Sequence, residues 1–439
     1  MILSVSLRVF AQDQVVFPLK ASADHHYLVD QQGNPFFVQG DSPWHLAYKV
    51  NRDEVKRYLD DRISRGFTSV MIQITPDLME KGGNQPNLYG EYVFRDADVS
   101  RPNENFFIHV DSVIEEVARR GLAIFFFPMY TGCCHDGWQE MLEKSPNTVE
   151  KCRHYGRWVA RRYYHIPNII WVSGGDHNET PESLAVAEGI ADVDSVHLHT
   201  FHTGSPGSAT ERLPDARWLT LGTTYTYYPG LDNVGMLQYH VYGLDYHECI
   251  RNHRIPFVMI ESSYEKEREE TTQFLRRQAY WAMLSGACGQ FYGHRDIWQM
   301  NRGWEKFLDY TGCRSMTILG KFFKSLDWYR LIPDWGHNIV VSGRGTFNPG
   351  ITPGGEDYAT VAASPDGRLM VAYLPTYRKV TVQMERLSGS LQARWFDPSS
   401  GKYYDAGNFD NKGMQDFTPP ADKNSQGFED WILVLQSNN

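Results

Sequence analysis

The sequence predicts a (β/α)8 TIM barrel followed by a small antiparallel β-sandwich domain, an α/β fold with an all-β tail. Three observations carry that expectation. Eight short apolar runs alternate with stretches of helical periodicity between residues 36 and 292. The runs are apolar throughout, as strands covered on both faces must be. Beyond about residue 330 the helical period vanishes, and alternating runs separated by turn residues replace it. The expected division is an N-terminal segment 1–17, a barrel 18–332 and a β-sandwich 333–439.

The first element is a hairpin. His26–Val29 and Pro35–Val38 flank Asp30-Gln31-Gln32-Gly33-Asn34, a turn-rich linker. The eight barrel runs follow as Phe36–Gly40, Ser69–Ile74, Ala123–Phe127, Asn168–Val172, His197–His202, Leu219–Thr224, Pro256–Ile260 and Gly289–Tyr292. The Leu219 run competes with the stretch near Tyr239 for one strand position. Helices are expected over Asp53–Arg65, Ile108–Arg120, Val149–Tyr164 and Glu269–Leu284. The first, second and fourth stop at Gly66, Gly121 and Gly286, as helix ends do. In the tail, Ala359–Ala363, Arg368–Leu374, Val380–Met384, Leu391–Phe396 and Trp431–Leu435 read as strands. Turns such as Ser364-Pro365-Asp366-Gly367 separate them.

Composition narrows the function. The 439 residues accommodate one barrel of roughly 250 residues plus a smaller module. With 43 basic against 53 acidic residues the net charge is −10, without the basic footprint of a nucleic-acid binder. Hydrophobic residues at 41% exclude intrinsic disorder. No apolar run reaches the roughly 18 residues of a membrane span. The apolar opening, Met1 to Gln12, reads as the tail of a secretion signal, so a secreted or periplasmic location is expected. Cysteines at 133, 134, 152, 249, 288 and 313 form neither a disulfide scaffold nor a zinc framework.

In a barrel enzyme the chemistry sits where strands end. Asp41 and Trp44 follow the first run, Asp176 the fourth and Glu261 the seventh; His294 and Arg295 follow the eighth. Asp176 and Glu261 are the informative pair. Two carboxylates facing one another across a barrel mouth can protonate a glycosidic oxygen and attack the anomeric carbon or activate water. Gly174-Gly175 before Asp176 leave room for a ligand or a tight turn. Glu179 is a rival, read instead as part of the helix start near Pro181. Each of the pair has a bland alternative, an ion-paired structural carboxylate. Asp41 is expected either to bind a sugar hydroxyl or to brace a loop. Trp44, Tyr225, Tyr227, Tyr228, Tyr292 and Trp298 are candidates for a stacking wall. His135, Asn178, His240, His294 and Arg295 are candidates for polar substrate contacts. A donor from His177, Asn178, Tyr225 or His240 is expected to orient Glu261.

Two metal-like patterns are discounted. His197-Leu198-His199 puts two imidazoles on one strand face, but no complementary ligand series follows at the other strand ends. Cys133-Cys134-His135-Asp136 holds adjacent cysteines that share one tetrahedral zinc poorly. No cofactor and no metal are expected, and neither is an obligate protein partner.

The sequence resembles the apiosidase-like family of glycoside hydrolases over roughly residues 18–330. The resemblance rests on Phe37-Val38-Gln39-Gly40-Asp41-Ser42-Pro43-Trp44, on Trp171-Val172-Ser173-Gly174-Gly175-Asp176-His177-Asn178, and on Ile260-Glu261-Ser262-Ser263-Tyr264-Glu265. The tail, with Trp395-Phe396-Asp397-Pro398-Ser399-Ser400-Gly401, is similar to the collagen-binding-type β-sandwich that usually follows. The resemblance implies cleavage of apiose linkages in the pectin rhamnogalacturonan II. It also implies an acid/base Asp after strand four and a nucleophilic Glu after strand seven, matching Asp176 and Glu261. The expectation is therefore a retaining glycoside hydrolase acting on a plant cell-wall glycan, with an oligosaccharide or polysaccharide as its partner. A non-catalytic carbohydrate- or matrix-binding barrel is the alternative, and a metal-dependent barrel hydrolase ranks last.

Overall fold

A computed structural model describes residues 15–76, 84–132, 137–227, 238–268 and 270–437. The Met1–Gln12 opening and the Cys133–Asp136 cluster lie outside the described residues, as do Tyr228 and Glu269. The barrel strands are β1 Val38–Asp41, β2 Ser69–Gln73, β3 Ala123–Phe127, β4 Ile169–Gly174, β5 Leu198–His202, β6 Gly222–Tyr225, β7 Phe257–Glu261 and β8 Gly289–Tyr292. Each falls on one of the eight apolar runs. Strands β1 to β5 pair in parallel in chain order, and β6, β7 and β8 continue in parallel back to β1. The β5–β6 seam closes through Thr220 and Leu221, whose amides donate to the His199 carbonyl at 3.0 and 3.1 Å. A short antiparallel strand, Gly207–Ser208, guards the edge of β6. Tyr239 leads into a helix, so the Leu219 run holds the contested strand position.

Among the helices are α1 Arg52–Ser64, α2 Glu104–Arg119, α3 Val149–Tyr163, α4 Pro181–Ala191, α5 Ala209–Arg212, α6 Val241–Arg251, α7 Thr272–Leu284 and α8 Thr311–Lys324. Their starts follow side-chain chemistry. Asn51 and Glu54 form a reciprocal capping box on α1. Helix α2 begins a turn earlier than its apolar spacing indicates, because the Asn103 side chain accepts from the Asn105 amide. Helix α7 begins three residues later than expected. Thr271 caps it, and Glu270 instead accepts from the Arg268 amide at 2.8 Å.

The tail forms two antiparallel sheets. One has six strands in the order Ile332–Pro333, Thr360–Ala363, Leu369–Leu374, Trp431–Ser437, Ser390–Phe396 and Tyr403–Asp410. The other joins Val340–Ser342, Val380–Gln383 and Met414–Phe417. Their inner faces enclose a core that includes Val361, Met370, Trp395 and Leu433. The outer face of the larger sheet joins the barrel core through Tyr373, Phe396 and Ile432, which pack with Tyr280 and Phe322. A buried bidentate pair, Arg276 on α7 with Asp430, seals that junction at 2.9 and 2.8 Å.

Candidate active site

The Gly174-Gly175-Asp176 turn ends β4 with three successive positive φ angles, +80°, +127° and +44°. A Cβ at Gly174 would lie 2.4 Å from the His202 carbonyl, and one at Gly175 would lie 2.3 Å from the Tyr130 ring. Only glycines fit there. The non-glycine Asp176 is held in the left-handed region at the turn's apex, the kind of strain that concentrates at working sites.

Two anchors hold that turn. The Tyr225 hydroxyl, at the end of β6, donates to Asp176 Oδ1 at 2.8 Å. The Asp176 amide donates to Nδ1 of His202, at the end of β5, at 3.0 Å. Because this nitrogen accepts, the imidazole proton sits on Nε2, which donates to Glu261 Oε2 at 2.8 Å. The Thr203 carbonyl 3.1 Å from Nδ1 is therefore a neighbour of the ring and not a partner. One buried imidazole thus ties the backbone of Asp176 to the carboxylate of Glu261.

Aromatic rings enclose this pair. Trp44 is buried against Phe127, Tyr130 and the edge of His202, with ring centroids 4.8, 5.3 and 5.9 Å apart. Its indole N–H donates to the Tyr264 hydroxyl at 2.7 Å. Burial and the adjacent Glu261 carboxylate hold the Tyr264 phenol well above its ordinary pKa. Burial followed by the charges of Asp176 and Glu261 does the same to Tyr225. Both phenols stay protonated and able to donate. Past Asp176, exposed Asn178 accepts from His177 Nδ1 through its carbonyl at 2.9 Å. His177 also walls a cleft of about 180 Å³ that runs toward Gln139 and Glu143.

Several expected substrate contacts are placed elsewhere. Asp41 is fully buried. Its Oδ2 accepts from the Tyr58 hydroxyl at 2.6 Å and from the buried Arg62 guanidinium, so it braces β1 against α1. Tyr292 donates to buried Glu265 at 2.5 Å, behind the same strand. His240 leads into α6, and its Nε2 contacts the Gly354 carbonyl at 3.2 Å, facing the sandwich side. His294 is buried, caps the short helix Arg295–Trp298 and stacks on Phe307; burial lowers its pKa to about 4. Arg295 is exposed on that helix, and Trp298 packs edge-on against His45. His135 lies outside the described residues. Glu179 lines a cleft between α3 and α4.

The donor on Glu261 is His202, which the sequence reading left unassigned, whereas Tyr225 serves Asp176. His202 closes the fifth apolar run, so the strand-end rule that singles out Glu261 applies to it equally. The His197/His199 pair lies at the opposite end of that strand. Both imidazoles bond to Asp194, His197 through the carboxylate at 2.6 Å and His199 through the backbone carbonyl at 2.8 Å. Among the described residues no group of three potential ligands could hold a metal ion.

A (β/α)8 barrel whose fourth and seventh strands bring an Asp and a Glu to one imidazole has the form of a glycoside hydrolase. The chain belongs to the apiosidase-like family of these enzymes: the model described as "Apiosidase-like, catalytic domain" matches residues 22–330. A second model, of a collagen-binding domain of a collagenase, matches residues 351–436. Among solved structures, the chain is similar to one described as "Glycoside hydrolase", at 24% identity and a TM-score of 0.82, over 96% of this chain and 97% of that one. It is also similar to a glycoside hydrolase family 5 structure from Bacteroides vulgatus, at 23% identity and a TM-score of 0.82, over 96% and 92%. At these identities the likeness establishes the shared two-part fold. No curated protein matches the chain.

Proposed function

We propose that the protein is a retaining glycoside hydrolase acting on a pectic, apiose-containing plant cell-wall glycan, with Asp176 as acid/base and Glu261 as nucleophile. The single observation that carries the assignment of roles is the difference between the two carboxylates' partners. Glu261 accepts a hydrogen bond from His202 Nε2 and faces the Tyr264 phenol, which suits a carboxylate that works ionised. Asp176 accepts at Oδ1 from the neutral Tyr225 phenol, and its place at the apex of the left-handed turn after β4 suits a group that delivers a proton.

In the first step Asp176 protonates the glycosidic oxygen while Glu261 attacks the anomeric carbon. The aglycone leaves as an alcohol, and an ester joins the sugar to Glu261. In the second step Asp176 removes a proton from water, whose oxygen attacks the anomeric carbon and releases Glu261 as a carboxylate. His202 and the tyrosines hold the two carboxyl groups in place, and Trp44 with its ring neighbours excludes water from the His202 side. Retention calls for carboxyl groups about 5–5.5 Å apart, against roughly 6.5–9.5 Å for inversion. An extracytoplasmic location, secreted or periplasmic, goes with a polymeric substrate.

The test incubates the enzyme with pectic oligosaccharides derived from rhamnogalacturonan II and identifies products by mass and anomeric configuration by NMR. Release of apiose with retention is expected, abolished in both Asp176→Ala and Glu261→Gln. Inverted product, or activity that survives either substitution, would remove the assignment.

A further inference from the structure

A third carboxyl group faces the same mouth. After β7 the chain turns at Tyr264–Glu267, with Lys266 in the left-handed region at φ +65° and the Glu267 amide directed to the Tyr264 carbonyl at 3.4 Å. Glu267 Oε2 is sealed from solvent and has no hydrogen-bond partner among the described residues. Leaving a buried carboxyl oxygen without a donor is costly, so such an atom at the mouth of a barrel calls for a ligand. The ring beside it is Tyr227, just past β6. Its centroid lies 5.5 Å from that of Tyr225, the donor to Asp176, and the Arg268 guanidinium lies 5.4 Å above it. Burial, and then the charges of Glu267, Glu261 and Asp176, hold the Tyr227 phenol well above its ordinary pKa, so all three carboxyl groups act on one phenol.

We propose that Glu267 is a catalytic-site residue that touches substrate, its carboxyl group hydrogen-bonding a hydroxyl of the sugar held by Glu261. The proposal rests on the glycosidase reading of the site and adds to it a determinant of substrate binding. Among the described residues the titratable and charged groups facing Glu267 are Glu261 from β7, Tyr227 from the β6 loop, and Arg268 and Glu270 from its own loop. Burial first, and then the negative charges of Glu261 and Glu270, raise its pKa to about 7. Below that pH it is a neutral group that can both donate to and accept from a sugar hydroxyl. Above it the group only accepts, and it places a second negative charge beside Glu261.

The experiment measures KM and kcat for a 4-nitrophenyl apioside between pH 5 and 8, with wild type, Glu261→Gln, Glu267→Ala and Glu267→Gln, each checked by thermal melting. The expected results are a KM about ten-fold higher in Glu267→Ala, with kcat changed less, and a wild-type KM that climbs above pH 7. Glu267→Gln keeps a neutral donor and acceptor at every pH, so its KM is expected to stay near the low-pH wild-type value throughout. A folded Glu267→Ala variant with wild-type KM across the range overturns the proposal, as does a Glu267→Gln variant that retains the rise above pH 7. If wild type hydrolyses the probe and Glu261→Gln does not, the glycosidase reading stands whichever way Glu267 falls. If wild type is as inert as Glu261→Gln, both readings fall together.

Discussion

Asp41 and Asp176 occupy equivalent places in the chain, each at the end of a barrel strand, yet their surroundings differ. The difference lies in what faces them. Asp41 meets Arg62 and Tyr58 beneath α1, and the pair is sealed from solvent. Breaking such a pair leaves a buried guanidinium uncompensated. Asp41→Ala is therefore expected to lose about 3–5 kcal/mol of stability, measured by chemical denaturation. Asp176, at the apex of a turn, accepts from the Tyr225 phenol. His202 links the backbone of Asp176 to the carboxylate of Glu261. His202→Ala removes the donor to Glu261 and is expected to lower kcat about a hundred-fold while the circular dichroism spectrum stays native. Residue types and positions in the sequence made Asp176 and Glu261 stand out, because charge at the end of an apolar strand is conspicuous. The partners of those charges were not visible there. His202 lies 59 residues from Glu261 in the chain, and the alternation of apolar and polar residues carries no information on which strand-end side chains touch.

At the scale of elements, apolar runs and glycine stops located all eight strands, because a strand buried on both faces writes its full length into the sequence. Helix starts were less visible. They depend on single caps, such as Asn103 and Thr271, that local spacing does not rank. Four tail strands went unread: Ile332–Pro333, Val340–Ser342, Tyr403–Asp410 and Met414–Phe417. Tyr403–Asp410 lies at the edge of its sheet, exposed or half-buried along its length, and bulges at Gly407, so no alternation marks it. The turn after β4 carries the testable feature at this scale. A left-handed alanine costs about 1–2 kcal/mol and a glycine does not. Asp176→Gly is therefore expected to be about 1 kcal/mol more stable than Asp176→Ala by thermal melting, with both inactive.

At the scale of the molecule, barrel and sandwich share one apolar core. Tyr280 stacks on Tyr373 at 5.0 Å, Phe322 packs on Phe396 at 4.6 Å, and the Trp281 indole donates to the Tyr358 carbonyl at 2.9 Å. Arg276 and Asp430, both fully buried, join the two parts, and Tyr373 adds a third bond to Asp430 at 3.2 Å. Arg276→Met leaves Asp430 charged and buried, and is expected to lower stability by about 3–5 kcal/mol. Calorimetry of the wild-type protein is expected to show barrel and sandwich melting together, since removing either exposes the other's apolar face.

The sequence alone determined the eight-fold alternation, the change to an all-β tail, the family resemblance and the two acidic side chains at strand ends, since each is written in local pattern and spacing. The tertiary structure alone decided which of several similar carboxylates face the barrel mouth. It buried Asp41 on Arg62, set His202 between Asp176 and Glu261, and left an oxygen of Glu267 without a hydrogen-bond partner among the described residues. The physical reason is that burial and pairing belong to segments distant in the chain, and only closure of the barrel brings those segments into contact.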